Sequence, residues 1–175
     1  MILPTELWAA VGVVALTAGT LPSAYFAVTE PENRQYYGIL AAITGIAAVA
    51  YALTSQGIGT IPVNGVNFYI PRYVDWLLTT PLLILYMTLL CKPGKRLYGL
   101  LIGVDVALIL FGVAAIFATG TLSLALFGAG AAAYLVLAYL LVSELPARAA
   151  FETDRVEIVF SKLRNVTVVL WTAYP

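Results

Sequence analysis

Long apolar runs, separated by short polar or Gly- and Pro-containing connections, divide the chain into six segments. The segments run approximately over 4–27, 35–56, 69–90, 96–118, 122–142 and 154–175. Because a helix of about 20 residues crosses a bilayer core about 30 Å thick, each segment is long enough to span a membrane. A lipid-facing barrel would instead show short segments of alternating hydrophobicity. The pattern predicts an all-α integral membrane protein.

The connection between the second and third segments has a pattern of its own. Residues 60–68 alternate weakly between apolar and polar positions around Asn64-Gly65. An Asn-Gly pair favours the tight primed turn of a β-hairpin. We therefore predict a small extracellular hairpin that covers one end of the helical bundle.

Composition supports the same class of protein. The chain has 175 residues, of which 62% are hydrophobic and 10% charged, and this is too little charge to cover the surface of a soluble domain. A single cysteine, Cys91, excludes an intrachain disulfide, and with no histidine present we predict no metal site. We predict one transmembrane bundle over 1–175, with no enzyme activity and no nucleic-acid partner.

Charged residues fix a predicted orientation. The first, third and fifth connections carry charges, whereas the second and fourth carry none. By the positive-inside rule the odd connections are cytoplasmic, so the amino terminus is extracellular. Of the nine lysines and arginines, only Arg72 then lies away from the cytoplasmic side. We predict a multi-pass protein of the cell membrane, surrounded by lipids.

The end of the chain is unusual, since residues 171–175 are apolar and aromatic up to the final position. A helix that stopped there would leave its terminal carbonyl groups without evident partners. We therefore expect the chain to be part of a longer protein, in which one further helix would return it to the cytoplasm.

The third segment carries the candidate chemistry. Arg72 and Asp75 lie about one helical turn apart, and Thr79 and Tyr86 fall on the same side of the helix. An ionisable group at membrane depth is functional by default, because an unpaired charge there is expensive. Asp75 is therefore a candidate counterion and proton acceptor. The alternative is a structural ion pair with Arg72, with Thr79 repairing the helix next to Pro81.

The motif Arg-Tyr-x-Asp-Trp-Leu-x-Thr-Thr-Pro-Leu at 72–82 resembles the third-helix signature of the haloarchaeal microbial rhodopsins. The motif Arg-Asn-x-Thr-Val-Val-Leu-Trp-x-x-Tyr-Pro at 164–175 resembles their sixth helix, and similarity at 45–51 and 125–128 extends the match over essentially the whole chain. The resemblance implies seven helices around retinal, bound as a protonated Schiff base to a lysine of the seventh helix. That helix is not in this chain, which supplies six of the seven.

Residue by residue, the resemblance implies that Asp75 is the primary counterion and accepts the Schiff-base proton, while Arg72 tunes it from the extracellular side. It implies a retinal pocket lined by Tyr73, Trp76, Thr79, Thr80, Leu83, Leu108, Phe127, Gly130, Ala131, Tyr134, Trp171, Tyr174 and Pro175. Without the resemblance, aromatic residues at helical spacing are more often explained by packing. The lysines of this chain lie at cytoplasmic ends and do not replace the missing one.

Asp105 is a second carboxyl at membrane depth. A neutral or hydrogen-bonded carboxyl is the cheaper state there, and in the family alignment Asp105 faces Thr80. We predict an Asp105–Thr80 contact that joins the third and fourth helices. Its predicted role is structural and spectral tuning, with direct proton relay as the alternative.

Tyr86 separates a sensor from a pump. Pumping relatives carry a carboxylic acid at this position to reprotonate the Schiff base, and tyrosine, whose ordinary pKa is about 10, is a poor quick donor. Together with Phe127, Gly130 and Ala131, this feature resembles sensory rhodopsin II and the middle rhodopsins. The alternatives are a slow light-driven outward proton pump and a membrane protein without photochemistry.

The implied mechanism for a sensor is retinal photoisomerisation, proton transfer to Asp75 and outward displacement of the sixth helix. A membrane-embedded transducer would detect that movement. Lys162 and Arg164, at the start of the sixth helix, would pair with acidic groups of the transducer or serve only as cytoplasmic anchors. Small residues at 128–133 permit close helix contact, within the bundle or between protomers of a homo-oligomer.

Overall fold

The computed structural model describes residues 5–173, with side chains from residue 7 onward. The chain forms antiparallel helices joined by short connections. The long helices are α1 (Thr5–Thr29), α2 (Arg34–Ser55), α3 (Ile70–Cys91), α4 (Lys95–Phe117), α5 (Gly120–Tyr139) and α6 (Asp154–Thr172). A 3-10 turn, Pro31–Asn33, precedes α2, and a π-helical turn, Leu140–Glu144, with a last helical turn, Leu145–Ala147, extends α5. These bounds lie close to those predicted from the apolar runs.

Neighbouring helices from α1 to α5 pack on each other in chain order, and α6 packs against α3 and the π-helical turn of α5. The buried core lies at one end of the bundle, where α3 ends and α4 begins. It consists of Ile84, Met87, Cys91, Leu97, Leu101, Leu137, Leu140, Leu141, Leu145 and Phe160. This core joins α3, α4, α5 and α6. The other half of each of these helices lines a cavity.

Five of the helical segments are long and apolar enough to cross a membrane: Leu7–Thr29, Pro31–Ser55, Ile70–Cys91, Lys95–Phe117 and Gly120–Ala147. Helix α6 was expected to be a sixth apolar span, but it differs in character. It has 19 residues and carries five charged side chains, all before its second half begins at 165. The charges make α6 more polar than the five other spans, although Phe160 within it is fully buried in the core.

The predicted hairpin is present. Strands β1 (Thr60–Val63) and β2 (Val66–Tyr69) pair antiparallel, with Val63 opposite Val66. Both turn residues have positive φ, 48° at Asn64 and 82° at Gly65, as a primed turn requires. The predicted hairpin and its turn are confirmed, and its extracellular side stays a prediction.

The hairpin is fastened to the end of α4. The Asn64 side-chain amide donates to the carbonyl oxygens of Ile116 at 2.8 Å and Ala118 at 3.1 Å. These carbonyls belong to the last turn of α4 and its end, where the helix itself supplies no donors. The ring of Phe68 also packs edge-on against Phe117, with 5.0 Å between ring centroids. Loop and helix end are therefore one packed unit.

The close approach of α1 and α2 depends on a glycine. A Cβ atom at Gly12 would lie 2.4 Å from Cδ1 of Tyr51, whereas a Cβ atom at Gly103 in α4 would meet nothing within 4 Å. A contact of 2.4 Å is too short for carbon atoms, so the Tyr51 ring would have to move. Gly12 lets the two helices approach at this level.

We expect Gly12→Ala to destabilise the protein by about 1 to 3 kcal/mol, the usual cost of overpacking. The measurement is thermal unfolding of the purified protein in detergent. Gly103→Ala is the matched control, because it adds the same methyl group to a helix interior with open space around it. Equal stability of the two variants would contradict the prediction.

Candidate functional site

A cavity of about 450 Å³ lies between α3, α4, α5 and α6. Its volume falls in the range of pockets for small organic ligands. Most of its surface is aromatic or aliphatic, with a few hydroxyl groups and one carboxyl group. The lining residues are Tyr73, Trp76, Thr80, Asp105, Leu108, Ile109, Gly112, Phe127, Gly130, Ala131, Tyr134, Trp171 and Thr172.

Most residues assigned to a pocket from the sequence lie on this cavity. Thr79 is buried next to Asp75 and Leu83 packs against the core, so neither is among the lining residues. Tyr174 and Pro175 lie outside the described residues. That these side chains hold a ligand stays a prediction.

Three lining residues were not predicted: Ile109, Gly112 and Thr172. The signal for the first two was available, because positions four and seven residues after Asp105 lie on its side of a helix. Thr172 follows directly after Trp171, and its position depends on where α6 ends. That end point is not encoded in a simple motif.

The predicted contact between Asp105 and Thr80 is confirmed. The Thr80 hydroxyl oxygen lies 2.7 Å from Oδ2 of Asp105 and 2.9 Å from the carbonyl oxygen of Trp76. Asp105 is only 1% exposed, and its Oδ1 has no hydrogen-bond partner among the described residues. A hydroxyl has a single proton, so a protonated Asp105 that donates to Thr80 would satisfy both short contacts. The pair joins α3 to α4 at the wall of the cavity.

Asp75 lies one helical turn before Thr79 and is 3% exposed. Its Oδ1 is buried without a hydrogen-bond partner in the described part of the chain. The Thr79 hydroxyl donates to the backbone carbonyl of Asp75 at 2.9 Å. Thr79 thus bonds the carbonyl of Asp75, and Thr80 bonds that of Trp76. Pro81 has no N–H group and frees a different carbonyl, that of Leu77. Repair of the Pro81 break at Leu77 is therefore not what these hydroxyls do.

Arg72 lies one turn before Asp75, with its guanidinium carbon 5.0 Å from the ring centroid of Trp76. This is within the range of a cation–π contact. Trp76 also lines the cavity, and its ring meets that of Tyr73 edge-on at 5.2 Å between centroids. Tyr73 in turn stacks on Phe68 of the hairpin, at 4.5 Å. One end of the cavity is therefore closed by a continuous set of rings with a cation beside them.

Tyr86 lies toward the other end of α3 and is half-buried. Its ring packs edge-on against that of Tyr36 in α2, with 6.1 Å between centroids. Between Asp75 and the end of α3 at Cys91 the sequence contains no acidic residue. In this helix, the half that contains Tyr86 has no carboxyl group to donate a proton.

The lysines of the chain lie away from the cavity. Lys92 forms a hydrogen bond and ion pair with Glu152 at the surface, which raises the pKa of this lysine and keeps it cationic. Lys95 begins α4, and Lys162 is exposed in the first half of α6. None of the three lines the cavity.

A bundle of apolar helices around an aromatic cavity, with a buried carboxyl group at its wall, defines an all-α integral membrane protein with an internal apolar cavity. Residues 3–175 match the family model described as bacteriorhodopsin-like protein, and the chain belongs to that family. The resemblance carried by the motifs of α3 and α6 is thereby confirmed.

Relatives and solved structures agree with this assignment. The chain is 37% identical to sensory rhodopsin-2 of Natronomonas pharaonis, over 99% of this chain and 72% of the relative. It is 43% identical to sensory rhodopsin-2 of Halobacterium salinarum, over 93% and 68%. The crystal structure of thermophilic rhodopsin from Rubrobacter xylanophilus superposes with a TM-score of 0.91 at 38% identity, covering 98% of this chain and 78% of that one.

We expect Thr80→Val to destabilise the protein by about 1 to 3 kcal/mol, because it leaves the buried Asp105 carboxyl without its partner. Thermal unfolding in detergent measures the loss. Thr80→Ser keeps the hydroxyl group and is expected to lose much less. A loss in Thr80→Ser as large as that in Thr80→Val would contradict the prediction.

Proposed function

We propose that this protein is a retinal-binding light receptor of the sensory type, which signals to a transducer protein in the membrane. The observation that carries the proposal is the combination in α3 of a buried Asp75 with a following half that has Tyr86 and no carboxyl group. The likeness to two sensory rhodopsins over nearly the whole chain supports it. The steps below follow from where the side chains lie.

The cavity fits retinal in shape and polarity. A long conjugated hydrocarbon needs an extended apolar space, and Trp76, Phe127 and Trp171 offer flat aromatic walls for it. Gly112 and Gly130, which carry no side chains, both line the cavity, and at Gly130 α5 lies close to α4. The buried Oδ1 of Asp75, which lacks a partner among the described residues, suits a cationic ligand group.

Bound retinal would supply light absorption and a cationic nitrogen, through its linkage to a lysine. Because none of the three lysines here lines the cavity, that lysine belongs to a part of the protein outside this chain. Asp75 balances the cation and accepts its proton after illumination. The Arg72 guanidinium group lies against the indole ring of Trp76, and these two side chains shape the environment of Asp75.

Return of the proton is the slow step in this proposal. A carboxylic acid in the second half of α3 would deliver a proton quickly, but Tyr86 holds its proton too tightly at neutral pH. Protons therefore arrive from bulk water, and recovery slows as the pH rises. A long-lived activated state gives a partner time to respond.

The partner is a membrane-embedded transducer that contacts α6. Lys162 is exposed in the first half of this helix, and Arg164 is half-buried, with its guanidinium group bonded to Asn165 and 5.7 Å above the ring of Phe160. The Lys162 ammonium group is therefore the better placed of the two for an acidic partner. The charged ends of the helices face the cytoplasm, and the amino terminus is extracellular.

The second candidate is a light-driven outward proton pump with a slow cycle. It uses the same cavity and the same acceptor, Asp75, and differs only in how fast the proton is replaced. The rate and pH dependence of recovery therefore distinguish it from a sensor. Rapid recovery that does not depend on pH would favour the pump.

Asp75 is tested by an acid titration of the visible absorption of the retinal-reconstituted full-length protein. We expect a spectral shift as the pH falls and the carboxylate is neutralised, and we expect Asp75→Asn to show the acid spectrum at every pH. Asp105→Asn is the matched control and should keep the transition. A transition that persisted in Asp75→Asn would assign the counterion to another residue.

Tyr86 is tested by flash-induced absorbance changes. We expect Tyr86→Asp to speed recovery by about 100-fold, the lower end of the effect of a positioned proton donor. Tyr86→Phe should recover as slowly as the unmodified protein, since little is lost with the hydroxyl group. Unchanged recovery in Tyr86→Asp would show that this position does not control reprotonation.

A further inference from the structure

Two hydroxyl groups join α5 to α6 at the wall of the cavity. The Tyr134 hydroxyl donates to the carbonyl oxygen of Val168 at 3.0 Å and also contacts the Thr172 hydroxyl. The Thr172 hydroxyl donates to the same carbonyl at 2.7 Å. Two side chains from different helices therefore meet at one backbone oxygen. We refer to Tyr134, Val168 and Thr172 as the α5–α6 tie.

In the described part of the chain, the side-chain hydrogen bonds between α5 and α6 are those of the tie. Elsewhere, α6 packs on α3 and on the π-helical turn of α5 through apolar groups such as Phe160 and Leu141. Such apolar contacts can slide, whereas a hydrogen bond is made or broken. The tie therefore gives α6 one defined position beside α5.

The tie is also part of the cavity. The ring of Tyr134 and the side chain of Thr172 both line it, next to Trp171. A ligand that changes shape in the cavity would press on the same side chains that carry the bond. The position of α6 therefore depends on the shape of the ligand through side chains that contact both.

We propose that Tyr134 is a positioning residue that holds α6 against α5 in the dark, with Thr172 as its partner. This inference rests on the proposed light-receptor function. When α6 moves outward after illumination, the bonds of Tyr134 to Val168 and Thr172 break, and they form again on recovery. The tie thereby sets how long the activated state lasts.

Loss of the tie destabilises the dark arrangement relative to the activated one, so recovery becomes slower. Interhelical hydrogen bonds in membrane proteins are modest, and we expect an effect of about three- to tenfold. Because both hydroxyl groups act at one carbonyl, removal of the second one adds little to removal of the first. Non-additivity of this kind is the sign of a shared interaction.

The test measures flash-induced recovery of the full-length protein reconstituted with retinal. Tyr134→Phe and Thr172→Ala should each slow recovery about three- to tenfold, and the double variant should be no slower than the slower single one. Thr172→Ser restores the hydroxyl group and should return recovery to the original rate. Tyr139→Phe is the matched control, since Tyr139 is an exposed tyrosine of α5 bonded only to Glu144.

A second measurement needs no light. Amide hydrogen exchange of residues 166–173 in the dark should rise about three- to tenfold in Tyr134→Phe and stay unchanged in Tyr139→Phe. Faster exchange with unchanged recovery would make the tie merely structural and overturn the proposal. Unchanged exchange, faster recovery or additive effects of the two substitutions would also overturn it.

The two proposals fail in different ways. A protein that binds no retinal refutes the light-receptor function, and exchange in the dark still reports whether the hydroxyl groups hold α6. A protein that binds retinal, responds to light and recovers at the same rate without Tyr134 hydroxyl refutes the tie alone.

Discussion

A carboxyl group inside a membrane must find a partner, and this constraint arranges the centre of the protein. Asp105 meets it through Thr80 on the neighbouring helix, which fixes α3 beside α4. Asp75 is also buried, and its Oδ1, like that of Asp105, has no hydrogen-bond partner among the described residues. Asp105 lines the cavity, whereas Asp75 is buried in α3 and is not among the lining residues. Asp105 therefore joins two helices at the cavity wall, and the role of Asp75 in proton transfer stays a proposal.

Much of the fold could be read from the sequence, because membrane helices are encoded by length and hydropathy. The ends of α2, α3 and α4 fall within about two residues of the predicted bounds, and Asn64-Gly65 specifies its turn by backbone conformation alone. Helix α6 was less well described. Its last turns resemble a span, but the turns before Asn165 combine five charged residues with the fully buried Phe160. A pattern averaged over the whole segment hides that difference.

The site was partly predictable for a related reason. Asp105 and Thr80 are polar residues in apolar helices, and the resemblance to the family placed them opposite each other, so their contact could be predicted. The bonds of Tyr134 were not, because tyrosine at helical spacing is most often a packing residue and its hydroxyl partner is a backbone oxygen on another helix. Backbone acceptors have no sequence signature. The extension of α5 by a π-helical turn, which moves the last turn relative to α6, is hidden for the same reason.

The contacts of the hairpin connect this loop to the cavity as well as to the end of α4. Asn64 bonds to the end of α4, and Phe68 stacks on Tyr73, which is itself a wall of the cavity. An exchange of residues 60–69 between relatives would therefore act on the cavity as well as on the surface. We therefore expect the effects of substitutions in the loop and in the cavity to depend on each other, although the two belong to different parts of the chain.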